Sequence, residues 1–137
     1  MGMDLTGLKP TNSVGKYFYN TVWYWIPLWE YIASECSDIV TERDITLGGS
    51  NSGHRINRTK AAAIGKRLNS LLRAGKTQAY AKRLRRSSLS RSKAPALVNV
   101  RKVARALGVT AGPPEFRVEN VREFADFCVA SGGFEIS

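Results

Sequence analysis

The sequence has one histidine and two cysteines with no Cys-x-x-Cys pair, so it lacks the ligand set of a structural zinc site. Cys36 and Cys128 each fall on the apolar side of a predicted helix. That places them as buried, reduced thiols of a cytoplasmic protein; the spacing does not argue for a disulfide between them. No apolar run approaches the roughly 20 residues that a helix needs to span a bilayer, so no membrane partner is expected. The opening MGMDLTGLKP lacks the basic and apolar regions of a secretory signal. Gly2 with Thr6 fits the loose acylation pattern, which is short enough to arise by chance. Nothing in the composition calls for a cofactor.

The most informative absence is of acid. Residues 55–105 carry sixteen Lys or Arg and no Asp or Glu. Residues 1–54 carry three cations against six acids, and residues 106–137 carry two against five. Two acidic ends bracket a basic middle, and the chain as a whole is +10. The ends can fold back and neutralise part of the middle. Eleven acids cannot match twenty-one cations, so the remainder faces solvent, phosphate or an acidic partner.

Aromatic residues are concentrated as sharply. Eight of the thirteen lie between Tyr17 and Tyr31, including Trp23, Trp25 and Trp29. So dense a group either seeds a core or offers a stacking surface or partner anchor, and beside an amphipathic helix the core reading is preferred.

Along the chain, Gly2, Gly7, Pro10 and Gly15 read as an irregular N-terminal arm over residues 1–16. Val22–Ile26 reads as a short extended piece, since aromatic and β-branched residues favour it. Pro27 fits the first turn of a helix over 27–42, with Trp29, Ile32, Ala33, Cys36, Ile39 and Val40 on one face. Residues 44–58 read as a loop rich in Gly, Ser and Asn. Asn57 or Thr59 caps a helix that carries Ile64, Leu68 and Leu71 and stops at Gly75. A narrower helix follows from Lys76, with Tyr80 and Leu84 inward, and frays in Ser87–Ser92. A short helix over 99–107 ends at Gly108. Pro113 and Pro114 make an extended link, and a last helix from Val118 carries Val121, Phe124, Ala125, Cys128 and Val129. The expected architecture is all-α: one domain over 17–137, about five helices, with the aromatic segment packed over them.

Several motifs fall short. Gly48 and Gly53 have the spacing of a phosphate loop, but His54-Arg55 replaces the Lys-Ser/Thr that such a loop needs. Residues 103–109 look like the first helix and turn of a helix-turn-helix, yet Pro113 and Pro114 fall where the second helix belongs. His54 has neither nucleophile nor orienting acid beside it in sequence and reads as an exposed loop residue. Glu35, Asp38 and Glu42 share a helical face, where a solvated surface is preferred to a metal site.

The segment N-x-V-W-Y-W-x-P-L-W-x-Y (Asn20–Tyr31), with E-N-V-R-E-F-A-x-F-C-x-x-S-G-G-F-E-I (Glu119–Ile136), resembles a group of small uncharacterised proteins from bacteria and their phages. It spans about the first and last quarters of the chain and leaves out the basic middle. The resemblance implies a bacterial or phage cytoplasm and no activity.

The expected function is therefore binding. The basic helices would contact phosphates of DNA or RNA with little sequence preference, through Lys66, Arg73, Lys82, Arg85, Arg86 and Arg91. The alternative is a regulatory protein whose basic middle docks an acidic protein partner, with parts of Trp23, Trp25 and Trp29 as anchors. No catalytic residue is singled out.

Overall fold

The computed structural model describes residues 2–89 and 115–137. The chain order is β1 (Gly2–Gly7), a 3₁₀ turn (Ser13–Gly15), β2 (Tyr17–Thr21), α1 (Val22–Glu35), α2 (Glu42–Gly48), β3 (His54–Ile56), α3 (Arg58–Arg73), α4 (Lys76–Leu89), α5 (Val118–Ser131) and β4 (Phe134–Ile136). The expected helix over 99–107 and the Pro113-Pro114 link lie outside the described residues.

The all-α expectation is overturned. Four strands form one antiparallel sheet in the order β2-β1-β4-β3, so the fold is α+β. The supposed irregular arm contributes β1, an inner strand of that sheet. Its residues alternate: Met3 and Leu5 are buried, while Asp4 and Thr6 turn outward. The extended piece expected at Val22–Ile26 is helical, and the strand lies one step earlier, with Phe18 and Asn20 inward and Tyr17 and Tyr19 outward. β4 brings Phe134 and Ile136 to the same inner face, and β3 brings Ile56.

The sheet therefore has a core face and an open face. Trp25, Leu28, Ile32, Ile64, Leu68, Phe124, Phe127 and Phe134 fill the space between the core face and the helices. Rings interlock there: Phe18 meets Phe124 and Phe127, and Phe134 meets both. Helix α5 crosses α3 at Gly65, where a Cβ would approach Val129 Cγ2 to 2.7 Å and the Ala125 carbonyl to 3.1 Å. The loop between β1 and β2 closes the far end of α5. Lys9 and Thr11 donate backbone N–H groups to the Ser131 and Ala130 carbonyls at 3.0 and 2.8 Å, which the helix itself leaves without partners. Helix α4 reaches α1 through Tyr31, whose hydroxyl is 2.9 Å from Thr77 Oγ1 and whose ring packs on Tyr80 and Phe116.

Helix α1 starts five residues before Pro27, so this proline is interior. It takes away the N–H that would have reached the Trp23 carbonyl one turn back. Glu115 supplies the missing donor: its backbone N–H lies 3.0 Å from that oxygen. The helix ends at Glu35 rather than near residue 42. Thr41 then opens α2 with a capping box, in which Asp44 N–H donates to the Thr41 hydroxyl and Thr41 N–H to the Asp44 carboxylate. Part of the expected Gly-rich loop is thus helical.

Candidate functional site

Two groups of polar side chains stand out. The first is the outer surface of α3 and α4. Helix α3 buries Ala61, Ile64, Leu68 and Leu71 and leaves Lys66 and Arg73 exposed, two turns apart on the opposite side. Asn57 caps its first turn by accepting from Lys60 N–H at 2.8 Å, and Gly75 at φ 76° allows the sharp turn into α4. Helix α4 buries Thr77 and Ala81 and exposes Lys76, Lys82, Arg83, Arg85 and Arg86. Lys82, Arg85 and Arg86 are spaced i, i+3 and i+4 and so share one side. Of the six cations expected to bind, five come onto two consecutive helices; Arg91 lies outside the described residues.

Some of the basic middle is absorbed internally. Arg55 pairs with Glu135 at 2.9 Å, Lys60 with Asp44 at 2.6 Å, and Arg67 grips Asp38 with two bonds of 2.8 and 3.0 Å while also donating to the Glu35 carbonyl. Arg83 lies over the Tyr80 ring, 5.9 Å from its centre. Among the described residues, Arg58, Lys66, Lys76 and Lys82 have no acid partner, and Arg73 reaches only the Ser70 hydroxyl at 3.5 Å. The acids do not go to them. Glu119, Glu123 and Asp126 are exposed on α5 and make no ion pair among the described residues. The bound arginine of Asp38 holds that carboxyl below its usual range.

The second group centres on Asp44, which is 4% exposed. Its carboxylate takes the Lys60 ammonium at 2.6 Å, His54 Nε2 at 2.7 Å and the Thr41 N–H at 2.9 Å. Burial alone would raise the Asp44 carboxyl; these three donors outweigh it and hold it well below the carboxylate range. Contrary to the expectation from sequence, His54 is enclosed rather than exposed: its side chain is 13% accessible and has an orienting acid. The group joins α2, β3 and α3. It has the parts of a histidine–carboxylate pair without an established nucleophile, and its evident work is to hold three elements together.

The tryptophans divide. Trp25 and Trp29 are buried and stacked, with ring centres 5.2 Å apart, and their indoles donate to the Gly48 and Ile45 carbonyls of α2 at 2.8 and 2.9 Å. Gly48 packs against the Trp29 ring, which accounts for a small residue there without any phosphate loop. Trp23 is half-buried. Cys36 and Cys128 are free and buried, and burial pushes the Cys36 thiol up to about 11. No group of three acid, His or Cys side chains among the described residues is arranged to hold a metal, and no helix among them is long and apolar enough to cross a membrane. Glu35, Asp38 and Glu42 do not share a helix, because α1 stops at Glu35.

Reading from sequence missed the outward Tyr17 and Tyr19, which it counted with the aromatic core. The signal was present in the alternation Tyr17, Phe18, Tyr19, Asn20. Comparison with family models, with curated proteins and with solved structures finds no match.

Proposed function

We propose that the chain binds nucleic acid through phosphate contacts from the outer side of α3 and α4, with little sequence preference and in the cytoplasm. The observation that carries this reading is that, among the described residues, Lys66, Lys76 and Lys82 are exposed on two adjacent helices without acid partners, while Glu119, Glu123 and Asp126 on α5 make no ion pair. Lys66 and Arg73 on α3, and Lys82, Arg85 and Arg86 on α4, would follow the phosphate backbone, each contact releasing condensed counterions. The free, buried thiols support a reducing compartment.

Titration of labelled duplex DNA and of RNA across a salt series tests this. Binding is expected at low salt and should weaken steeply as salt rises. Lys66→Gln with Lys82→Gln should weaken all sequences alike and lower the salt slope by about 2. Absence of binding at low salt overturns the reading. A stoichiometric acidic protein recovered from nuclease-treated lysate by a chain that binds no nucleic acid would assign the same face to that protein instead.

A further inference from the structure

The open face of the sheet is left unused by that reading. Register sets Tyr17, Thr6, Glu135 and Arg55 in one row across the four strands, with Tyr19 and Asp4 opposite each other in the next. Tyr17 is 53% exposed and Tyr19 48%, while Phe18 between them is buried. Neither exposed ring is loose. The Tyr17 hydroxyl donates to the Asp4 carboxylate, and the Tyr19 ring occupies the space that a side chain on Gly2 would fill. Each ring thus leans toward its diagonal neighbour on β1, and both lean the same way. They are two residues apart on one strand, about 6.8 Å. That interval suits neighbouring bases of an extended, unstacked strand.

The side-chain carboxylates of this face are already matched, and the loop that leads into β2 carries two exposed cations. Among the described residues, both side-chain carboxylates of this face are engaged, Asp4 by Tyr17 and Glu135 by Arg55 at 2.9 Å. Lys9 and Lys16, exposed in the loop that leads into β2, have no acid partner among the described residues. We infer that Tyr17 and Tyr19 form a stacking platform for two consecutive bases of a single-stranded nucleic acid, with Lys9 and Lys16 of the adjoining loop to reach the phosphates. This rests on the chain being a nucleic-acid binder and adds which form it selects. Bases in a duplex are stacked on each other and offer no free face, whereas a single strand can lay each base on a tyrosine whatever its sequence.

The test is fluorescence anisotropy with the full chain and three labelled probes of equal length: oligothymidylate, oligouridylate and a DNA duplex. Single strands should bind more tightly than the duplex, and comparison of the two oligomers separates DNA from RNA. Tyr17→Ala or Tyr19→Ala should each weaken single-strand binding by about 5- to 150-fold and leave duplex binding unchanged. The double Phe variant keeps both π-faces and should retain tight binding; thermal melts of all variants check that the fold is intact. If the alanine variants bind single strands as the parent does, while binding still falls with salt and with loss of Lys66 and Lys82, the platform is overturned and the α3–α4 reading stands. If the parent binds none of the three probes at low salt, both fall.

Discussion

Asp44 shows how much one side chain can hold. It closes the capping box of α2, orients His54 on β3 and anchors Lys60 on α3. A buried carboxylate survives because every approach to it brings a donor; removing the charge leaves Lys60 and His54 facing nothing. Asp44→Asn is expected to lower stability at pH 7 by about 3 kcal/mol. The folded carboxyl titrates below its unfolded value, so its stabilisation is complete above about pH 4 and is lost as the pH falls from there toward the folded value. Urea melts at pH 7 and pH 3 should therefore show a shallower acid loss in Asp44→Asn than in the parent. Coincident losses would show that the carboxylate does not carry this pH dependence. The Thr-x-x-Asp pattern of a cap was legible at Thr41 and Asp44, although the expected helix over 27–42 passed over it. The pairing with His54 was not, because a residue ten positions away can be oriented only by the fold.

At the scale of elements, Pro27 ties α1 to the start of the C-terminal segment. An interior proline is costly to a helix because it strands a carbonyl. Here that carbonyl, on Trp23, receives the Glu115 N–H and becomes a docking point. Restoring the donor with Pro27→Ala should close the helical bond and leave Glu115 without its acceptor. Hydrogen exchange at the Glu115 amide should then speed up markedly while α1 amides become better protected. Unchanged exchange at Glu115 would show that the tether does not depend on the proline. The same principle governs the last turn of α2, where the Trp25 and Trp29 indoles donate to the Gly48 and Ile45 carbonyls. Helices α3, α4 and α5 were readable from apolar spacing, Asn57 and the closing glycines, but Val129, expected on the inward stripe of α5, is 56% exposed, and Phe127, not counted there, is buried. Helix α1 was displaced because Pro27 is equally at home in a first turn, and its role depends on a donor 88 residues away.

For the whole molecule, the sheet decides the architecture. β1 is bonded on both sides, to β2 and to β4, so it links the N-terminal hairpin to the last residues of the chain. Deleting residues 2–7 would leave β2 without a partner, bare one edge of β4 and remove Met3 and Leu5 from the core. Such a chain should lose its cooperative thermal transition, followed by circular dichroism, where loss of an irregular arm would leave the melt nearly unchanged. The strands were hard to read because β3 and β4 are three residues long and β1 is bounded by glycines, so each carries only two or three alternating positions. Helical spacing repeats over four turns and announces itself.

What the sequence determined alone was local or summed: the apolar faces of α3, α4 and α5, their caps, the core-forming weight of Trp25 and Trp29, and a charge surplus that composition makes unavoidable. What tertiary structure decided was everything that needs two distant segments to meet. Strand partners, the enclosure of His54, the use made of Pro27, and the outward turn of Tyr17 and Tyr19 all belong there. The physical reason is that a helix satisfies its backbone with its own neighbours, whereas a strand has no bonds until another part of the chain arrives to make them.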